Sequence, residues 1–290
     1  MSDPAVSHAE LAPKAEGRIA ERFCRLAKAG ELGLVAYITA GDPSLEATGE
    51  IVLASDAAGA DAIELGVPFS DPLADGPVIQ RASERALRSG TSLRRVLELV
   101  KRLRAKTEVP LVLFSYFNPI YQMGLERFAA AASDAGADGV LATDLTPEEA
   151  GGYRGALRGK GLDTIFLAAP TSTGERLKKI AEASSGFLYI ISRTGVTGAR
   201  DVLPEGVSEL ARRARSFTKL PIAIGFGISR PSHVSGLFGL ADAAVVGSAL
   251  VAEIEKASGT GTAAAAVAAL ISRLKAAGCK SNVPVAEGGT

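Results

Sequence analysis

The sequence predicts an α/β fold, a (β/α)8 TIM barrel with an extra N-terminal helix, on three observations. Short runs rich in Val, Ile and Leu recur eight times, each followed by a loop and then a stretch of helical spacing. That is the pattern of βα units around a buried parallel sheet. A weak internal repeat supports the count: "AGADAIELG" (58–66), "AGADGVLAT" (135–143) and "LADAAVVGS" (240–248) each end a helix, turn and enter a strand. The third observation is size, since 290 residues, 47% of them hydrophobic and 22% charged, can bury one sizeable core.

The elements follow in order. A helical pattern near 18–29 precedes the first strand, "LVAYIT" (34–39), and the second strand is "DAIELG" (61–66). Next come "PLVLFSY" (110–116), "DGVLAT" (138–143), "DTIFLA" (163–168), "FLYIIS" (187–192), "PIAIGFG" (221–227) and "DAAVVG" (242–247). Between them, "SLRRVLELVKRLRAK" and "GERLKKIAEASS" place apolar residues three and four apart and charges on the other face, as outer helices do. Residues 1–15 and 279–290 read as flexible tails around a single domain spanning 16–278.

Composition narrows the function. Lys plus Arg equals Asp plus Glu at 32 each, so no net basic field exists to hold nucleic acid or an anionic membrane surface. The two cysteines, Cys24 and Cys279, are far apart and the chain has no signal-like start, which points to inert thiols and a cytoplasmic location. The most apolar run, "TAAAAVAALI" from Thr262, falls short of the roughly 18 to 20 residues that cross a bilayer.

Chemistry on such a barrel sits on the loops after the strands. Lys106, Lys160 and Lys219 lie just before strands, on the opposite face, so no Schiff-base lysine is expected. His8 lies in the tail and His233 in a helical pattern, leaving no histidine acid/base and no metal site. The carboxylates of "ELGVPFSDPLADGP" (64–77) remain. Alternation turns Ile63 and Leu65 toward the helices, and Ala62 and Glu64 into the barrel. With no Arg or Lys on any of the eight strands, Glu64 has no cation, and an unpaired buried carboxyl has a raised pKa suited to donating a proton. Asp75 follows on a loop stiffened by Pro68, Pro72 and Pro77, while Asp71 reads as a cap of the loop backbone.

Three glycine-rich turns follow strands six to eight: "RTGVTGAR" (193–200), "GFGISRPS" (225–232) and "VGSALVAE" (246–253). Gly227, Gly247 and Ser248, closed by Gly198, form an expected phosphate cradle of backbone N–H groups and a helix start. Phe114, Tyr116, Leu141, Tyr189 and Phe226 fall at or near strand ends and could line a flat apolar pocket above it. The segment "SRTGVTGARDVLP" (192–204) is longer than a plain βα connection, and with Gly195 and Gly198 as hinges it reads as a lid.

Together "AYITAGDP", "ELGVPFSDPLADGP", "FNPI", "SRTGVTGA", "GFGIS" and "VGSALV" closely resemble the tryptophan synthase α-subunit family, from about residue 18 to 275. The resemblance implies retro-aldol cleavage of indole-3-glycerol phosphate to indole and glyceraldehyde 3-phosphate. It implies no cofactor on this chain, and a β subunit that carries pyridoxal phosphate and receives the indole in an α2β2 tetramer. By position, Glu64 matches the glutamate that protonates indole carbon 3, and Asp75 the aspartate that stabilises positive charge at the indole nitrogen. Tyr189 matches the active-site tyrosine, Phe226 and Leu141 the indole pocket, and Gly198, Gly227, Gly247 and Ser248 the phosphate contacts. Thr197 matches the threonine that bonds the aspartate when the lid closes. One position departs: Thr146 in "TDLTPEE" stands where the family pattern has proline, in a loop that borders the β subunit. Two other readings stay open, a sugar-phosphate isomerase or epimerase, and a catalytically dead barrel that serves as a scaffold for the β subunit.

Overall fold

The computed structural model describes residues 17–191, 206–225 and 227–279. Thr197, Gly198, Phe226 and the 192–204 segment proposed as a lid lie outside the described residues, as does the expected N-terminal tail. Among the described residues are nine parallel strand segments: β1 (Gly33–Thr39), β2 (Ala62–Gly66), β3 (Leu111–Ser115), β4 (Gly139–Ala142), β5 (Asp163–Ile165), β6 (Leu167–Ala168), β7 (Leu188–Ile191), β8 (Ile222–Gly225) and β9 (Ala243–Val246). Their order is β5-β4-β3-β2-β1-β9-β8-β7-β6. β5 pairs with β4 and β6 with β7, and only Phe166 separates them. They are two halves of one barrel strand, so the eight runs read from the sequence correspond to eight barrel strands.

The helices that cover them are α1 (Arg18–Ala29), α2 (Leu45–Ala57), α3 (Pro77–Arg88), α4 (Leu93–Arg104), α5 (Phe117–Met123) and α6 (Leu125–Ala135). The second half adds α7 (Gly151–Arg158), α8 (Gly174–Ala183), α9 (Val207–Arg215), α10 (Pro231–Ser235), α11 (Ser248–Lys256) and α12 (Ala263–Ala276). α1 forms because Ile19, Phe23 and Leu26 recur at helical spacing, and Gly30 ends it in the left-handed region at φ 66°. Those three side chains join Val35, Ala62, Val112 and Phe187 in the interior cluster. The extra helix therefore plugs the end of the barrel where the strands begin. The outward residues, Ile63, Leu65, Leu111 and Leu113 among them, belong to the larger core beneath the surrounding helices.

The internal repeat has a structural cause. Asp61, Asp138 and Asp242 stand at its equivalent positions, and each stitches itself to the first or second residue of the neighbouring strand. The Asp61 N–H donates to the Leu34 carbonyl at 2.8 Å, while its carboxylate accepts the Leu34 N–H at 2.8 Å. Asp138 does the same with Leu111 (2.9 and 2.8 Å), and Asp242 with Ile222 (2.8 and 2.7 Å). A cation meets each carboxylate: Lys275, Arg104 and Arg215 respectively. Strand entry is thus fixed at the closed end. At the other end Phe114, Leu167, Tyr189, Gly225 and Gly247 are only half-buried although they point inward or lie at the mouth. The barrel opens where its strands finish.

Candidate active site

Glu64 sits on β2 between Ala62, which joins the interior cluster, and Gly66 at the strand end. Its alternation with outward Ile63 and Leu65 turns it into the barrel as the sequence predicts. It is 0% exposed, and neither carboxyl oxygen has a hydrogen-bond partner among the described residues. Burial without compensation pushes the carboxyl up to about 8. At neutral pH the group holds its proton, which is the state a general acid needs.

Asp75 lies on the loop between β2 and α3. The prolines stiffen this loop, but hydrogen bonds from other elements place it. The Tyr116 hydroxyl, directly after β3, accepts from the Ala74 N–H at 2.9 Å and donates to Asp75 Oδ2 at 3.3 Å. The Tyr116 ring stacks on Phe69 at 5.0 Å. From α3, Gln80 Nε2 donates to the Pro72 carbonyl at 3.3 Å and the Asp75 carbonyl at 2.9 Å. Asp71 is exposed, and its carbonyl accepts from the Leu73 N–H at 2.9 Å. Burial raises Asp75 to about 6 against the lowering effect of the Tyr116 hydroxyl. The two carboxyls therefore titrate apart, and near pH 7 one is an acid and the other an anion.

Tyrosines surround this pair. Tyr37, paired in register with Glu64 across β1 and β2, points its hydroxyl over Gly66, where an added Cβ would meet it at 2.2 Å. Tyr189 does the same over Gly225 at 2.8 Å. These close approaches are why the last residues of β2 and β8 carry no side chain. Burial raises both phenols, as do the carboxylates of Asp75 and Glu64 for Tyr37 and that of Glu64 for Tyr189. They are neutral donors at any working pH. Sequence reasoning missed Tyr37; the signal was its parity in "LVAYIT", which sets it inward like Glu64. Phe114, half-buried, meets Tyr37 edge-on at 5.1 Å. Leu141, assigned from sequence to the pocket wall, is fully buried in the barrel interior.

Of the expected phosphate cradle, Gly227, Gly247 and Ser248 are described. Gly227 is exposed at φ +81°, a left-handed conformation that favours glycine, with open space where a Cβ would stand. Gly247 precedes α11, and Ser248, exposed, is its first residue. The first turn of such a helix offers N–H groups without intrahelical acceptors and a partial positive charge, which suits an anion. Thr146, at the departing position, donates its hydroxyl to Glu149 Oε2 at 2.8 Å and so ties its own turn. Among the described residues no cluster of His, Cys, Asp or Glu is placed to hold a metal ion, and no helix is long and apolar enough to cross a membrane.

A family model described as "Tryptophan synthase alpha chain" matches residues 23–279. The tryptophan synthase alpha chain of Citrifermentans bemidjiense is 52% identical over 242 residues, covering 83% of this chain and 91% of that protein. That of Dechloromonas aromatica is 49% identical over 260 residues, covering 89% and 96%. Among solved structures, tryptophan synthase subunit alpha from Legionella pneumophila superposes with a TM-score of 0.84 at 38% identity, over 91% of this chain and 98% of that one. A tryptophan synthase complex from Pyrococcus furiosus gives 0.77 at 39% identity, over 85% and 98%.

Proposed function

The chain belongs to the tryptophan synthase alpha chain family, and from that premise we propose how its site performs the family's reaction. It is a carbon–carbon lyase that cleaves indole-3-glycerol phosphate to indole and glyceraldehyde 3-phosphate and passes the indole to a β subunit. Glu64 delivers its proton to indole carbon 3, and the ring becomes an indoleninium whose charge lies at nitrogen. Asp75, ionised, faces that N–H and stabilises the charge. The carboxylate left on Glu64 then takes the proton of the hydroxyl on the adjacent carbon. That electron pair forms the aldehyde, the carbon–carbon bond breaks, and its electrons return to the ring. Glu64 ends protonated, ready for the next turnover, so one carboxyl serves as acid and base.

The observation that carries this reading is Glu64, an inward carboxyl two residues before the end of β2, with no hydrogen-bond partner among the described residues and a pKa of about 8. Backbone N–H groups around Gly227, Gly247 and Ser248 hold the phosphate, with Gly198 closing over it. Tyr116, Tyr189, Thr197, Leu141 and Phe226 surround the indole and Asp75. The partner is the β subunit, in an α2β2 tetramer, with pyridoxal phosphate on that subunit and none on this chain; the location is cytoplasmic. The test is indole release from indole-3-glycerol phosphate by the isolated chain, with and without a β subunit. The wild type should release indole, and Glu64→Gln should reduce the rate about 10²-fold or more while still binding glycerol 3-phosphate. A fully active Glu64→Gln refutes the assignment.

A further inference from the structure

Outside the reacting groups, one charged cluster joins three elements of the open end. Asp42, on the loop after β1, is 1% exposed. Arg85, in the last turn of α3, grips both its oxygens, through Nε at 2.8 Å and Nη2 at 2.7 Å. The remaining arm of the same guanidinium, Nη1, reaches Glu255 Oε1 in the last turn of α11 at 2.8 Å. Arg81, one turn earlier on α3, adds two further bonds to Glu255 at 2.9 and 2.8 Å. The two arginines hold the Glu255 carboxyl down at about 2, so that carboxylate stays ionised at any working pH.

The two helices matter for what stands at their other ends. α3 begins at Pro77, two residues after Asp75, and α11 begins at Ser248, directly after Gly247. Between them Val78, Ile79 and Ala82 of α3 meet Val251 of α11 and Tyr37 of β1 in a small apolar cluster. Apolar contact holds helices together without choosing their sliding register, whereas a guanidinium fork on two carboxylates permits one geometry. A substrate held by its phosphate at one helix start and by its indole nitrogen at the other depends on the span between them.

We propose that Arg85 is a positioning residue which, through Glu255, sets the span between Asp75 and the phosphate cradle. The proposal rests on the roles given above to Asp75 and to Gly247 and Ser248. Removing the guanidinium outright would strand Asp42 as a buried unpaired charge and risk the fold. Glu255→Gln leaves the Arg85–Asp42 pair in place, and Arg85→Lys keeps the charge without the fork. These variants are compared with Asp75→Asn in the full chain. Two quantities are measured: kcat for indole-3-glycerol phosphate, and the Kd of glycerol 3-phosphate, which occupies the phosphate end alone. Glu255→Gln and Arg85→Lys should lower kcat about 10- to 100-fold, the scale of a misplacement near 1 Å, with the Kd within about twofold of wild type. Adding Glu255→Gln to Asp75→Asn should cost no more than Asp75→Asn alone. An unchanged kcat in Glu255→Gln beside an impaired Asp75→Asn overturns the clamp, and so does a Kd that rises in step with the loss of kcat. Full activity in Asp75→Asn, or a wild type that does not bind glycerol 3-phosphate, instead overturns the site reading, and the clamp with it.

Discussion

Replacing Glu64 with glutamine removes a buried carboxyl that no hydrogen bond among the described residues compensates, and its consequences can be worked out in both rate and stability. In the wild type, cleavage needs Glu64 protonated and Asp75 ionised, with pKa values of about 8 and about 6. At pH 7 roughly 80% of molecules hold that combination, and the rate should fall about tenfold toward pH 5 and again toward pH 9. Glu64→Gln should lower kcat/KM by about 10²-fold or more, lose the alkaline limb and keep the acid one. Stability moves the other way. A carboxyl raised from 4.5 to about 8 in the folded state corresponds to about 5 kcal/mol at 1.36 kcal/mol per pH unit. Unfolded, the group ionises above 4.5; folded, it keeps its proton until about 8. Wild-type stability is therefore undiminished below the lower value and is lost as pH rises through the window between them. Glutamine does not titrate, so the variant should gain stability relative to wild type from pH 5 to pH 9. Denaturant midpoints at pH 5, 7 and 9, beside the pH–rate profile, check both effects. Parallel stability curves for the two proteins, with the alkaline limb retained in the variant, would refute the reasoning.

Tyr116→Phe removes both the acceptor for Ala74 N–H and the donor to Asp75. Because that donor lowers the Asp75 pKa, the acid limb of the rate profile should move to higher pH and kcat should drop; an unmoved limb counts against Tyr116 as the support of Asp75. Gly66→Ala places a Cβ 2.2 Å from the Tyr37 hydroxyl, so it should impair activity and destabilise by about 1 to 3 kcal/mol, and Tyr37→Ala in the same chain should relieve part of the stability loss, read by thermal unfolding. Asp138→Ala leaves the Leu111 N–H unpaired and Arg104, 12% exposed at its side chain, without its carboxylate. It should cost about 3 kcal/mol by denaturant titration while kcat of the folded fraction stays near wild type, since the stitch lies at the closed end.

The positions of β1 to β9 could be read within a residue or two from runs of Val, Ile and Leu, because a parallel strand buried on both faces must be apolar along its length. The facing of Glu64 could be read too, since alternation along "DAIELG" leaves two choices and Ile63 and Leu65 take the helix side. What "AGAD" and "LADA" are for could not: the repeat was visible, but the carboxylate stitching to Leu34, Leu111 and Ile222 appears only when strands lie side by side. Leu141 read as a pocket wall by its place near a strand end, but its full burial in the barrel interior appears only in the closed barrel. Tyr37 passed unnoticed because a tyrosine in a strand is ordinary until Gly66 and Glu64 stand beside it.

By itself, then, the sequence determined the barrel, the inward carboxyl and the glycine-rich turns, since local periodicity and the freedom of glycine are properties of neighbouring residues. The tertiary structure alone decided that Glu64 has no hydrogen-bond partner among the described residues, that Tyr116 supports Asp75 across 41 residues of chain, and that Arg85 joins Asp42 to Glu255 across 43 and 170. Desolvation, hydrogen bonding and charge pairing act through distances of a few ångströms, and separation along the chain says nothing about which groups the closed barrel brings within them.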